Sequence, residues 1–319
     1  MKKALIIGIS GQDGALLAEL LLQKGYEVTG TSRDHEVGNF WRLEELGIRD
    51  QVKLTSAVTS DFRSVLTALQ QSEPDEVYNL AGQTSVGMSF LYPVETFDSI
   101  LIGTMNILEC LRLLGKSVRL YSAGSSECFG NTNGAANEDT PFRPRSPYAT
   151  AKAAAHYAVA NYREAYGLFA CTGILFNHES PLRPARFVTQ KIVAAASRIS
   201  AGSSERLSLG NLKVRRDWGW ATEYVRAMWL MLQRDKPDDF VVATGQEHSL
   251  QEFVEWAFGT LDLDWRDHVD VDESLFRPSD IEHSYGDASK AFAELGWKAE
   301  THFPGVVEKL VAAARSKLA

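Results

Sequence analysis

The chain is predicted to be an α/β protein built on a doubly wound parallel sheet, with a smaller C-terminal lobe interleaved with it. Three observations carry that prediction. Short, continuously apolar runs alternate with stretches of helical periodicity through the first half. A glycine-rich turn, Gly8-Ile9-Ser10-Gly11-Gln12-Asp13-Gly14, joins the first apolar run to the first helical stretch. After Phe176 the alternation loosens, interrupted by Pro181, Pro184 and polar residues. Continuous apolar runs mark strands buried on both faces, the condition of a parallel sheet covered by crossover helices.

Taken in order, Ala4-Leu5-Ile6-Ile7 is the first strand. Leu17, Leu20, Leu21 and Leu22 place a helix after it, ended by Gly25. Glu27 to Thr31 reads as the second strand and Val52 to Thr55 as the third. Phe62 to Gln70 is helical, and Glu76 to Leu80 is the fourth strand. Thr104 to Leu114 forms the body of a long helix leading to the strand Val118 to Ser122. Pro147 suits a first helical turn and opens a helix running to about Tyr166. Leu168 to Leu175 is the sixth strand. Beyond it, Lys191 to Ile199 and Tyr224 to Leu232 read as helices, Leu207 to Leu209 and Phe240 to Ala243 as strands, and the remainder as short helices and loops. Residues 1–176, with returning segments near 217–245, are expected to form a Rossmann-like dinucleotide-binding unit, and 177–319 mainly a substrate lobe.

Composition narrows the function classes. The 319 residues are 45% hydrophobic and 23% charged, a globular balance that excludes a disordered chain or a collagen-like one. The formal net charge of −8 argues against non-specific nucleic-acid binding, which needs a positive surface. No apolar stretch has the length of a membrane span, and no signal peptide is evident. Cys110, Cys128 and Cys171 are scattered and odd in number, and the histidines form no HxxxH pair. Neither a disulfide framework nor a metal site is expected, and the setting is predicted to be reducing and cytoplasmic.

The candidate chemistry lies in three segments. Gly8, Gly11 and Gly14 have GxxGxxG spacing between a strand and a helix, where glycine permits a tight turn and close approach of a pyrophosphate to the helix N-terminus. Gly8, Gly11, Gln12, Asp13 and Gly14 are therefore the expected dinucleotide-binding turn. The end of the second strand reads Thr31-Ser32-Arg33-Asp34. An acid there suits the ribose 2′-hydroxyl of NAD and an arginine the 2′-phosphate of NADP; Ser32 and Arg33 favour NADP, while Asp34 just beyond pulls the other way. Tyr148 and Lys152 form YxxxK on one face of the long helix. A phenol with a reference pKa of about 10 needs a neighbouring cation to act as a base near neutrality, and Lys152 with a cofactor's positive ring would supply it. Just past the fifth strand, Gly124-Ser125-Ser126-Glu127 offers a hydroxyl to hydrogen-bond a substrate beside Tyr148 and a carboxylate for general acid/base work. The alternative for each of these polar residues is loop capping or a solvated surface.

The glycine-rich turn, the serine-bearing strand end and YxxxK together resemble the extended short-chain dehydrogenase/reductase superfamily. Within it the chain is similar to the GDP-mannose 4,6-dehydratases. The similarity is carried by GISGQDG (8–14), PRSPY (144–148), NYREAYG (161–167), GILFNHESP (173–181), RDWG (216–219) and AMWLMLQ (227–233). The resemblance implies a GDP-hexose substrate, NADP as cofactor, and catalysis by Ser125, Glu127, Tyr148 and Lys152. It implies further substrate contacts from Ser85, Ser126, Asn177, Val188, Lys191, Arg216 and Arg277. Tyr148, with Ser125 and Lys152, would take the proton from the sugar 4-hydroxyl, and Glu127 the proton from C5. A homodimer is implied, a homotetramer being the alternative, since the family's double arginine after the second strand is reduced to Arg33 and followed by Asp34-His35-Glu36. Other departures are Ser56-Ala57-Val58-Thr59-Ser60-Asp61 after the third strand, where the family carries an acid near the adenine, the stretch Leu182 to Gln190, and Arg277-Pro278-Ser279-Asp280-Ile281-Glu282. Competing readings are a GDP-sugar reductase or epimerase of the same superfamily, and a non-catalytic NADP-binding sensor.

Overall fold

The computed structural model describes residues 1–318. Its centre is a parallel sheet of seven strands. Along the chain the elements are β1 (Lys3–Ile7), α1 (Gln12–Gln23), β2 (Glu27–Ser32), α2 (Trp41–Glu45), β3 (Lys53–Ser56), α3 (Phe62–Ser72) and β4 (Glu76–Asn79). There follow α4 (Val86–Leu91), α5 (Pro93–Phe97), a π-helical turn at Asp98–Ile102, α6 (Gly103–Leu114), β5 (Arg119–Ala123), α7 (Pro147–Tyr166) and β6 (Ala170–Leu175). The rest is β7 (Asn177–Glu179), α8 (Val188–Ser200), β8 (Leu207–Leu209), β9 (Arg215–Arg216), β10 (Trp218–Trp220), α9 (Ala221–Met231) and β11 (Phe240–Val242). It closes with β12 (His248–Ser249), α10 (Leu250–Gly259), β13 (Val269–Val271), β14 (His283–Ser284), α11 (Ser289–Leu295) and α12 (Phe303–Ser316).

The spatial order of the large sheet is β11-β6-β5-β4-β1-β2-β3. Successive side chains point to opposite faces, so each strand feeds two cores. Ala4, Ile6, Tyr78, Tyr121 and Cys171 join one core with Leu17 and Leu21 of α1 and Tyr224 and Met228 of α9. Their neighbours Leu5, Ile7, Val77, Leu120 and Ala170 join the other, with Val65 and Leu69 of α3, Ile107 and Leu111 of α6 and Val159 of α7. The order reverses at β1, whose neighbours are β2 and β4. That reversal opens a crevice beyond the carboxyl ends of the strands.

A separate core lies under residues from the second half: Ile192 and Ile199 of α8, Phe253 and Phe258 of α10, and Phe303, Val307 and Leu310 of α12. The second half also returns to the first core. β11 pairs with β6, and Trp297, fully buried, packs with α1- and α9-side residues. The returning segments thus extend past the expected 217–245 to the stretch around Ala291 and Trp297. The C-terminal region is also more regular than expected. α12 is a 14-residue helix with Pro304 in its first turn, burying Phe303, Val306, Val307, Leu310 and Val311. That spacing is helical, and the pattern was present to be read.

The turn after β1 shows which of its glycines the fold itself demands. Gly8 has φ +99, which disfavours a side chain. A Cβ on Gly14 would stand 2.4 Å from the Gly8 carbonyl oxygen, so the start of α1 can press against the turn only without one. Gly11 is exposed, and a Cβ there meets nothing closer than 3.4 Å. Gly14→Ala is therefore expected to lower unfolding free energy by about 1–3 kcal/mol, the usual cost of overpacking, and Gly11→Ala by no more than about 0.5 kcal/mol. Urea unfolding of the two variants checks this; equal losses would refute the distinction.

Candidate active site

The crevice beyond the strand ends encloses about 1230 Å³. A single small-molecule site typically occupies about 300–1,000 Å³, so the cavity can take a dinucleotide and a second nucleotide together. Its walls come from the glycine-rich turn, the ends of β2 to β6, the start of α7, the segment 175–191, and residues near Arg216 and Arg277. Every residue expected at the site lines it except Ser126, which is buried within the short 3₁₀ turn Ser126–Phe129 and does not reach the cavity wall.

The catalytic candidates meet because two elements end at the same place. β5 runs parallel to β4 and β6, pairing Ala123 with Gly173, and delivers Ser125 and Glu127 just past its carboxyl end. α7 begins opposite. Ser146 caps it by accepting from the Ala149 N–H, and Pro147 stands in its first turn. Tyr148 and Lys152, one turn apart, then face the strand end. Lys152 Nζ donates to the Ala123 carbonyl at 2.7 Å and lies 6.0 Å from the centre of the Tyr148 ring. Ser125 Oγ accepts from the Glu127 N–H at 3.3 Å. The Glu127 carboxylate is half-buried and has no hydrogen-bond partner among the described residues, which leaves it available to a ligand.

Burial pushes the Tyr148 phenol above its ordinary range, with the Ser125 hydroxyl pulling the other way. The Lys152 ammonium donates to the Ala123 carbonyl and is itself lowered by burial to about 8.

The residues fit a dinucleotide at the glycine-rich turn. No side chain caps the N-terminus of α1, which leaves its first N–H groups to an anion, and Gly11 is bare on the side of the cavity. The side chains of Gln12 and Asp13, expected to bind the cofactor, are turned to another use. Gln12 accepts from Ser180 Oγ at 2.8 Å and donates to the His178 carbonyl at 3.3 Å, and Asp13 pairs with His178. Arg42 adds a further tie, donating to the carbonyls of Ser10 and Leu182. At the end of β2, Arg33 is exposed and meets only Glu95 of α5, at 3.4 Å. His35 fastens that loop to Ser56, its backbone N–H donating to Ser56 Oγ at 3.1 Å. Ala57 to Ser60 line the cavity floor beside it, while Asp61 serves as the N-cap of α3.

Opposite lies a basic wall. Asn177 is on β7, paired with Trp218 of β10. Val188 and Lys191 belong to the first turn of α8, whose N-terminus no side chain caps; Lys191 is exposed and without an ion pair among the described residues. Arg216 is buried, donates to the carbonyls of Arg215 and Ile281, and pairs with Asp280 at 2.9 Å. Arg277 approaches the same carboxylate at 3.5 Å. Asp280 therefore aligns two guanidinium groups toward one cavity, a role that sequence alone did not suggest. Ser85 is a helix cap, its Oγ accepting from the Met88 N–H. Arg183 and Arg186 were also missed as cavity residues; Arg186 reaches Thr84 across the mouth at 3.4 Å. Their only sequence signal was basic density after Pro181. No cluster of side chains able to hold a metal ion occurs among the described residues.

Comparison with known proteins agrees with this geometry. The GDP-mannose 4,6 dehydratase family model matches residues 5–310. GDP-mannose 4,6 dehydratase 2 of Arabidopsis thaliana is 49% identical, the match covering 97% of this chain and 86% of the relative. The human GDP-mannose 4,6 dehydratase is 43% identical over 97% of this chain and 90% of its own length. Among solved structures, the Thermus thermophilus UDP-glucose 4-epimerase in complex with NAD superposes with a TM-score of 0.86 at 25% identity, covering 98% of this chain and 99% of that one. With matching sequence along nearly its whole length, the chain belongs to the GDP-mannose 4,6-dehydratase family.

Proposed function

We propose that the protein is an NADP-dependent hydro-lyase that converts GDP-D-mannose to GDP-4-dehydro-6-deoxy-D-mannose and water. The observation that carries this reading, in a chain of the GDP-mannose 4,6-dehydratase family, is the meeting of Ser125, Glu127, Tyr148 and Lys152 on one wall of a cavity large enough for two nucleotides. A bound nicotinamide would accept hydride from sugar C4 and return it to C6, leaving no net change in its oxidation state. Tyr148 takes the 4-hydroxyl proton, with Ser125 holding that oxygen in line. Lys152 keeps its charge at neutral pH, being lowered only to about 8 by burial, and steadies the strand end through Ala123. The 4-ketone acidifies the C5 proton, which the free carboxylate of Glu127 removes and passes to the departing 6-hydroxyl as water; as hydride returns to C6, C5 takes up the proton that Tyr148 had drawn from the 4-hydroxyl.

The lobe around α8, α10 and α12 is the substrate lobe in this reading. Asn177 and the uncapped start of α8 at Val188 and Lys191 take the guanosine diphosphate. Arg216 and Arg277, aligned by Asp280, bind its phosphates through charge-assisted hydrogen bonds. Ser85 and Ser126 have weaker support, one being a cap and the other buried off the wall. A homodimer is supported by exposed apolar residues on α6 and α7, namely Leu113, Tyr157 and Tyr166. No helix of the described residues is long and apolar enough to cross a membrane, in keeping with a cytoplasmic enzyme.

Glu127→Gln keeps size and hydrogen bonding but cannot accept a proton, so turnover is expected to fall about 10²- to 10⁴-fold while GDP-mannose still binds. Solvent deuterium should enter C5 in the native reaction and be suppressed in Glu127→Gln; normal turnover with deuterium at C5 would remove Glu127 from the mechanism. Arg33→Ala should weaken NADP⁺ binding more than NAD⁺ binding, and equal losses would count against a 2′-phosphate contact. Sedimentation at micromolar concentration is expected to give at least a dimer, and a monomer would sink that reading.

A further inference from the structure

A carboxylate stands in the cavity wall where a pyrophosphate is to be drawn in. Asp13 lies in the first turn of α1 and lines the cavity. A bare negative charge there opposes any anion brought to the helix N-terminus. Asp13 is not bare. His178, from β7, sets Nε2 at 3.0 Å from Asp13 Oδ2 and Nδ1 at 2.7 Å from the Phe176 carbonyl oxygen. A carbonyl and a carboxylate only accept, so both ring nitrogens face acceptors, a setting that favours the doubly protonated imidazolium. The electrostatics agree with the geometry. Burial opposes the charge on His178, yet Asp13 holds the group above its ordinary value. Burial likewise works against the Asp13 charge, yet His178 brings that carboxyl down to about 2. The ring is fixed by stacking on Tyr224, 4.6 Å between centres and 22° between planes. Arg183 and Lys152 are the other charged groups facing the pair, and the Asp13 charge also acts on the buried Tyr121 phenol.

Resting on the reading that a dinucleotide occupies the glycine-rich turn, we propose that His178 is a charge-compensating, positioning residue for that cofactor. Its imidazolium neutralises Asp13, so that the N-terminus of α1 stays open to a pyrophosphate, and it fixes α1 against residues 176–180. A residue of the substrate-side segment thereby governs affinity for the cofactor.

The test is the NADP⁺ affinity of the full chain, by calorimetry, for the native protein, His178→Gln, Asp13→Asn and the double variant, with thermal melting as the measure of folding. His178→Gln leaves the Asp13 charge uncompensated and is expected to weaken NADP⁺ about tenfold. Asp13→Asn removes that charge, so the double variant should return to within about threefold of the native affinity. A role confined to holding the fold gives the opposite order, the double variant binding no better than His178→Gln, and that result overturns the proposal. If His178→Gln does not fold, Asp13→Asn decides: retained affinity supports compensation, and a tenfold loss refutes it. If the native chain binds no NADP⁺, the cofactor reading itself falls.

Discussion

The parallel register of the central sheet is the constraint from which the site follows. Ile7 pairs with Asn79 and Asn79 with Ser122, while Ala123 pairs with Gly173, so β1, β4 and β5 end within a residue of one level and β6 runs on past it to Leu175. Whatever follows those strands must open onto the same crevice. The glycine-rich turn, the Ser125–Glu127 turn and the 177–183 segment are brought together in this way, although they lie far apart in sequence. The Lys152 bond to the Ala123 carbonyl then ties the start of α7 to that level. A slip of β5 by one residue would exchange its two faces and carry Ser125 and Glu127 away from Tyr148.

The crevice divides into two electrostatic regimes. On the side of the glycine-rich turn the positive potential comes mainly from backbone groups at a helix N-terminus, beside a single exposed arginine at the end of β2. On the opposite side it comes from full charges, with Arg216 buried and therefore strongly oriented by Asp280. Backbone dipoles cannot move, and a guanidinium held by a carboxylate moves little. Both arrangements are preorganised, needing little reorganisation to meet negative charge.

The legibility of the fold tracked the strength of local patterns. Continuous apolar runs and helical spacing marked β1, α1, α6, α7 and β6 to within a few residues, because each buries a face large enough to dictate its sequence. α4 and α5 escaped notice; they are 6 and 5 residues long, and each buries a single side chain fully. α12 was readable from Phe303, Val306, Val307, Leu310 and Val311, yet it sat in a region expected to hold only short helices and loops. For the site, spacing identified YxxxK and the glycine-rich turn, since one helix face and one turn are local objects. What spacing could not reveal were pairs made by the fold. Asp13 and His178 are 165 positions apart, and Asp280 meets Arg216 from 64 positions away. The raised phenol of Tyr148 was likewise invisible, because it follows from burial, a property of the finished structure.

Trp297 has a consequence for how the molecule is made. It fills the core on the α1 and α9 side of the sheet, its indole N–H donating to the Glu223 carbonyl at 2.8 Å. A nascent chain leaving the ribosome would hold β1 to β6 complete while that space was still vacant. The core on that face is therefore completed only by contacts of long sequence separation, a topology of the kind that slows folding.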